Sequence, residues 1–353
     1  AGQLDRIGSV NLPGSVFAGG MQEVVQRRLS HVPAPASDLL NTAAVLGREV
    51  NLDVFNALHP EVDTANWLNT CADASVLEVE NRCWRFTHDK LREQLLIDMP
   101  NQRHVDLHTR VAQAIEQIYP NNDDYASALA YHWQEAGQAE KAIYYLQRAG
   151  QQTARTSAYQ EAVRFFEQAL YLLDTLQDTP ERIQQELDLQ IALANMLIAV
   201  KGYAASEVEK AYERARLLCQ RVGQTPQLFR VIWGLSSYYT IKAEFEVAHQ
   251  LAQQLLALAQ RQQDPLLLVE ACRMLGSTLM FSGQAEQSVR YVSQGYNLYN
   301  PERHKEHVQF YATDPGVVCL CYWAWGLWLQ GYTEQARQKL DDALALTQLL
   351  AHP

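Results

Sequence analysis

Three observations predict an all-α chain interrupted by one small β-hairpin. Apolar residues recur at helical spacing almost throughout, and beyond about residue 100 a pattern of small and large residues repeats. Only "SVLEVENRCWRF", residues 75–86, alternates apolar and polar side chains on both sides of an asparagine, which is a hairpin signal. With 353 residues, 48% apolar and 20% charged, the chain can hold two domains with substantial cores.

Residues 1–20, rich in glycine and without a sustained helical period, read as an extended connector from something upstream. From Met21 the pattern turns helical, with Val24, Val25 and Leu29 on one face. "ASDLLNTAAVLG" then offers Ser37 as N-cap and Gly47 as a stop. Short helices follow around Leu52 to Leu58 and Thr64 to Ala72, then the hairpin, then a helix through Leu91, Leu95 and Leu96. Thr87 suits the N-cap of that last helix and Asp89 its first turn, where the helix dipole favours a negative charge. Several helices followed by a hairpin describe a winged-helix domain over residues 21–102.

The repeat beyond it has a small residue, a bulky one three later, a Gly or Ala four further on, and then small, bulky and small residues. This is the tetratricopeptide pattern: small residues let two helices of a hairpin approach and large ones fill the gaps between hairpins. The copies are Ala130, Trp133, Gly137, Ala142, Leu146, Ala149; Gly276, Leu279, Gly283, Ser288, Val292, Gly295; and Ala324, Leu327, Gly331, Ala336, Leu340, Ala343. A weaker copy is Ser236, Tyr239, Ala243, Ala248, Ala252, Leu255. Half-repeat marks at Ala162, Phe166 and Ala169 come only 20 residues after Ala142, so one helix should serve two units. Later copies are offset by 40 and 48 residues, against a usual period of about 34, so loops such as Asn300 to Thr313 must fill the difference. Residues 103–353 are therefore expected to wind into a right-handed tetratricopeptide superhelix.

Composition excludes several functions. A net charge of −11 argues against a general affinity for nucleic acid or anionic lipid. The helix that would read DNA in a winged helix, "DTANWLNTCADA", has no Lys or Arg, and residues 1–110 carry a net of −4. Six cysteines without metal spacing suit a reduced, cytoplasmic protein. No signal peptide is evident, and the longest apolar run, thirteen residues after Gly316, is short of the roughly 18–20 that span a bilayer. No phosphate loop, nucleophile elbow or zinc signature occurs, so this piece should catalyse nothing and hold no cofactor itself. Both ends, Ala1 and "AHP", look like cuts in a longer polypeptide.

A few residues invite chemistry. His88 stands at the start of a helix, where backbone N–H groups and an imidazole could both donate to a phosphate. His104 and His108 share a helix face, but "RHVDLHTR" supplies no third ligand, so no metal site is expected. His304 and His307 read as surface residues, and Asp314-Pro315 as a helix start. Most repeat aromatics should fill the core, while Trp133, Tyr239, Tyr322 and Trp325 are candidates for a partner-binding concave face.

The order "LPGSV…RRL…LLNTAAVLGREV…RFTHDKLREQLL…RHVDLHTRVAQAIE…LAYHWQEAGQAEKAIYYLQRAG…EAVRFFEQAL" resembles the region after the ATPase core in bacterial STAND-class signalling ATPases. "GYAASEVEKAYERARLLCQ" and "YATDPGVVCLCYWAWGLWLQGYTEQA" are similar to that family's repeat region, so the resemblance covers nearly the whole chain. It implies an arm and inducer-sensing region attached to an upstream ATPase domain that binds ADP or ATP with Mg. In that class a Met-His-Asp motif of the winged helix touches the β-phosphate of ADP and holds the off state. Thr87-His88-Asp89 matches it with Thr in place of Met. The resemblance further implies an inducer, protein, peptide or small molecule, on the repeats, and oligomerisation on activation. Two other readings are a stand-alone tetratricopeptide scaffold and the regulatory region of a transcriptional activator.

Overall fold

The computed structural model describes residues 14–223, 226–304 and 313–350. The chain is mostly helical with one two-stranded hairpin, and it divides into two compact units, one ending at Ala149 and one beginning at Gly150.

The first unit opens with α1 (Gly14–Ser30), so helix begins before the expected end of a connector at residue 20. The rest of that connector, residues 1–13, lies outside the described residues. α2 (Ala34–Leu46) starts after Pro33, which places Ser37 inside the helix and not at its cap. A proline in the first turn, where no N–H partner is needed, sets that start, and Gly47 ends the helix at φ 136°. α3 (Leu52–Leu58) and α4 (Thr64–Asp73) are capped by side chains of Asn51 and Asp63, which accept from the N–H groups of Val54 and Asn66.

The hairpin pairs β1 (Leu77–Glu80) with β2 (Cys83–Phe86) in antiparallel register, Leu77 opposite Phe86. Asn81 and Arg82 both take positive φ, 50° and 66°, the conformation a two-residue hairpin turn requires. Residues 48–50 extend the sheet on its other side: the N–H of Phe86 donates to the carbonyl of Arg48, and that of Val50 to the carbonyl of Trp84. Arg85 on β2 is clamped by Glu78 and Glu80. Leu40, Phe55, Trp67, Leu77, Phe86 and Leu91 meet in one core, with Trp67 stacked 4.4 Å from Phe55.

α5 (Asp89–Ile97) leaves the hairpin and α6 (Asn101–Ile118) follows. A boundary at residue 102/103 would detach α6, but α6 packs on α2 and α3, and its end is tied down by the Tyr119 hydroxyl donating to Asp53. The unit continues through the turn Asp123–Tyr125, α7 (Ala126–Glu135) and the first part of α8 (Ala139–Arg155).

The second unit is a run of antiparallel helix hairpins. α9 (Tyr159–Leu173) packs on α10 (Pro180–Lys201), and α10 pairs with α11 (Ser206–Val222). α12 (Gln227–Ile241) pairs with α13 (Phe245–Gln262), and α14 (Pro265–Phe281) with α15 (Ala285–Leu298). After the single turn α16 (Pro301–His304), α17 (Pro315–Leu329) pairs with α18 (Thr333–Leu350). Asp314 caps α17 by accepting from the N–H of Val317, as its place before Pro315 predicts. Gly150, late in α8, lies so close to Phe166 of α9 that an added Cβ would sit 2.7 Å from its ring. No described helix is long and apolar enough to cross a membrane.

The repeated small residues have two distinct jobs. One is close approach: a Cβ on Gly276 would fall 2.4 Å from Val292 Cγ1, and Ser288 donates its hydroxyl to the Gly276 carbonyl at 2.7 Å. Ser236 likewise donates to the Ala248 carbonyl at 3.1 Å. The other job is the helix stop. Gly137, Gly283 and Gly331 all take φ between 71° and 88°, and the next residue's N–H returns to a carbonyl five positions back, at 2.8–2.9 Å. Ala243 occupies the same turn at φ 61°, with the N–H of Glu244 bonded to the Tyr239 carbonyl.

A left-handed conformation costs a non-glycine residue about 1–2 kcal/mol. Ala243→Gly should therefore raise stability by roughly 1 kcal/mol and Gly283→Ala lower it by a similar amount. Gly276→Val, which must force two helices apart, should cost about 1–3 kcal/mol or more. Urea denaturation of the three variants reads all three effects.

Candidate functional site

Thr87, His88 and Asp89 sit where the hairpin passes into α5, but the cap differs from the expected one. His88 is the N-cap residue and its side chain caps nothing. Thr87 instead turns its hydroxyl back to donate to the Ser75 carbonyl at 2.9 Å, pinning the end of β2 to the chain two residues before β1. The N-cap oxygen is absent because Thr87 is still in extended pairing, its own N–H bonded to the Val76 carbonyl. Asp89 does occupy the first turn, where it forms an exposed ion pair with Arg48 at 3.4 Å.

His88 is exposed, and it lines a surface depression of about 550 Å³ together with Arg28, Thr87 and Trp84. Arg28, from α1, reaches the same depression and donates to the Ser75 carbonyl at 3.3 Å. An imidazole and a guanidinium thus border one open surface, together with the carboxylate of Glu78. His88 is legible in the sequence at a helix start, whereas Arg28 lies 60 residues earlier and its part depends on how α1 packs.

The four aromatics expected on a partner surface behave differently from one another. Trp133 is only 1% exposed: its indole N–H donates to Glu116 at 2.9 Å and Lys141 lies 3.7 Å over its ring, so it is a core residue and presents no surface to a partner. Tyr239 is half-buried and, with Tyr238, donates its hydroxyl to the carboxylate of Glu209, at 2.7 and 2.8 Å. Those two donors hold the Glu209 carboxyl below its usual range. Trp325 is 41% exposed and stacks on Tyr322, ring centres 6.1 Å apart.

Tyr322 borders a cavity of about 210 Å³ formed by α12, α14 and α17, closed by Tyr203, Trp233 and Phe281 and floored by Ser237, Thr240 and Ser277. At its base is Arg273, 7% exposed, with its guanidinium 5.1 Å from the Trp233 ring and 2.8 Å from the Glu270 carboxylate. Burial works against the arginine's charge, but Glu270 outweighs it and the Arg273 pKa is raised. Burial also raises the phenols of Tyr203 and Tyr322, which keeps both as hydrogen-bond donors. A buried ion pair, two phenols and three hydroxyls inside aromatic walls can orient a small polar ligand or a peptide side chain. Sequence reading found Tyr322 but missed Arg273, because "EACRML" looks like any helix; the available signal was a Glu and an Arg three apart in an otherwise apolar segment.

The histidine pair gains what its own helix lacks. His104 and His108 face α7, which contributes Glu135, and the possible ligand atoms of the three lie within 4.8 Å of one another. His132 of α7 adds a fourth group, its Nδ1 3.1 Å from the Nδ1 of His108. The expectation that no third ligand is in reach is thus corrected, since the ligand comes from a neighbouring helix 27 residues further on. His304 closes the short α16, and His307 lies outside the described residues.

No family model matches the chain. An uncharacterized protein of Rhizobium meliloti strain 1021 is 25% identical over 346 residues, or 94% of the chain, and the chain spans 33% of that protein's length. Among solved structures, the chain is similar to BtubC from P. vanneervenii at 12% identity and TM-score 0.49, covering 72% of this chain and 95% of that one. NprR in complex with its cognate peptide NprX is also 12% identical, TM-score 0.46, covering 73% and 71% of the two chains. A STAND protein with a tetratricopeptide repeat sensor from Pyrococcus horikoshii is 12% identical with TM-score 0.40, covering 93% of this chain and 64% of its own.

Proposed function

We propose that the chain is the arm and inducer-sensing region of a STAND-class signal-transduction ATPase. In this reading the helices and hairpin of residues 21–102 form a winged helix that rests on an ADP-bound ATPase domain, and the later repeats wait for an inducer. The observation that carries it is His88: an exposed imidazole with no capping duty, at the positive end of α5, across a depression from Arg28. A phosphate oxygen placed there could meet two side-chain donors, His88 and Arg28. The sequence resemblance over the same residues supports it, and the greater length of the Rhizobium relative leaves room for an ATPase domain.

The switch follows from differential binding. With ADP held by His88 the closed form is favoured; an inducer that prefers the open form shifts the population toward an ATP- and Mg-bound, oligomerising state. The cavity around Arg273 is the inducer's place in this scheme, since it lies in the repeats and has both apolar walls and polar groups.

A hydrogen bond to a charged group is worth about 1.5–3 kcal/mol. His88→Ala or Arg28→Ala in the full-length protein should therefore speed ADP release roughly ten- to a hundredfold and give inducer-independent activity. Unchanged nucleotide exchange in folded variants would favour the stand-alone scaffold instead. Within the repeats, Arg273→Met alone should cost about 3–5 kcal/mol by leaving Glu270 charged and buried, and Arg273→Met with Glu270→Leu should recover most of it. Urea denaturation of the single and double variants checks this.

A further inference from the structure

We propose that His104, His108 and Glu135 form a three-ligand site for a divalent cation of the zinc class, clipping α6 to α7. This inference stands on the first unit alone and is independent of the nucleotide reading.

Geometry supplies the first argument. His104 and His108 are one helical turn apart with ring centres 4.4 Å from each other, and Glu135 approaches from α7 with its carboxylate 3.8 Å from His104 Nε2. Ligand atoms of a tetrahedral zinc site with bonds near 2.0 Å are separated by roughly 3.3 Å, so small rotations of the partly exposed His104 and Glu135 side chains toward the buried His108 close the set. The His104 and Glu135 side chains are 24% and 34% exposed, which gives a cation access and leaves its fourth position to water.

The second argument is an orphaned atom. His108 is fully buried, yet its Nε2 has no hydrogen-bond partner. A buried polar atom left unsatisfied is costly and calls for an explanation. His132 offers one: its Nδ1 lies 3.1 Å from His108 Nδ1, and when His108 is the donor of that pair its Nε2 retains only a lone pair. A ring held through one nitrogen by a neighbour while the other nitrogen binds is how metal-ligating histidines are usually oriented.

Charge agrees with this assignment. Glu135 contributes the anion, and the Arg92 guanidinium on α5 opposes a cation, which limits affinity without abolishing it. Two imidazoles and a carboxylate suit Zn²⁺ and Co²⁺, whereas Mg²⁺ and Ca²⁺ need more oxygen ligands.

Titrating Co²⁺ into the purified 353-residue chain tests the site. The expected result is an intense visible absorbance of low-coordinate Co²⁺ that saturates at one ion per chain, is displaced by Zn²⁺, and is accompanied by a higher melting temperature with Zn²⁺ but not with Mg²⁺. Glu135→Gln and His104→Gln, at partly exposed positions that should not disturb folding, should each weaken binding at least about tenfold. His108→Asn should do the same, and His249→Asn on α13 should change nothing. A pale six-coordinate Co²⁺ spectrum, or binding indifferent to Glu135→Gln and His104→Gln, would overturn the site and leave His108 Nε2 to a buried water.

Discussion

Two helices of a hairpin can share a core only if something at their crossing is small enough to let the backbones meet. In the second unit that condition is met at Gly276, where Val292 fills the space a side chain would need and the Ser288 hydroxyl bonds the helix's own carbonyl. Much else in the unit follows from this contact. It sets which faces of α14 and α15 are left to meet α13 and α17, and hence where the aromatic walls of the Arg273 cavity stand. The same logic holds at Ser236, where a serine hydroxyl on α12 bonds a carbonyl of α13. Because each hairpin is fixed by its nearest neighbours, the array gains stability by increments along its length.

The sequence was most informative where chemistry is local. Asn81 announces the hairpin turn because a tight turn needs positive φ and asparagine tolerates it. Gly137, Gly283 and Gly331 announce helix stops for the same reason, and Asp314-Pro315 announces a helix start. Local reading failed where a competing partner was distant. Thr87 looks like a cap until Ser75 claims its hydroxyl from 12 residues away, and Ser37 looks like one until Pro33 and Pro35 begin the helix earlier.

Sites were less legible than elements because each depends on the meeting of separate helices. Trp133 was a candidate for a partner surface, but it stands at the bulky position of the repeat pattern and is buried there, its indole N–H bonded to Glu116 of another helix. Arg273 is invisible as a site residue until α12, α14 and α17 enclose it. His104 and His108 are legible as a pair, while Glu135 and His132 join them only when α7 folds back along α6. In each case the residue type was readable and its neighbours were not.

The floor of the Arg273 cavity has one more property. Thr240 and Thr278 share a hydroxyl contact at 3.0 Å, Ser277 donates to the Met274 carbonyl, and Ser237 meets only the Met274 sulfur, at 3.9 Å. Thr240 also donates to the Ser236 carbonyl at 2.7 Å, so it and Ser277 spend their protons on the backbone and offer only oxygen lone pairs to whatever enters. The donors on this cavity are therefore its phenols and its guanidinium, and the helix backbones themselves set the hydroxyls to accept.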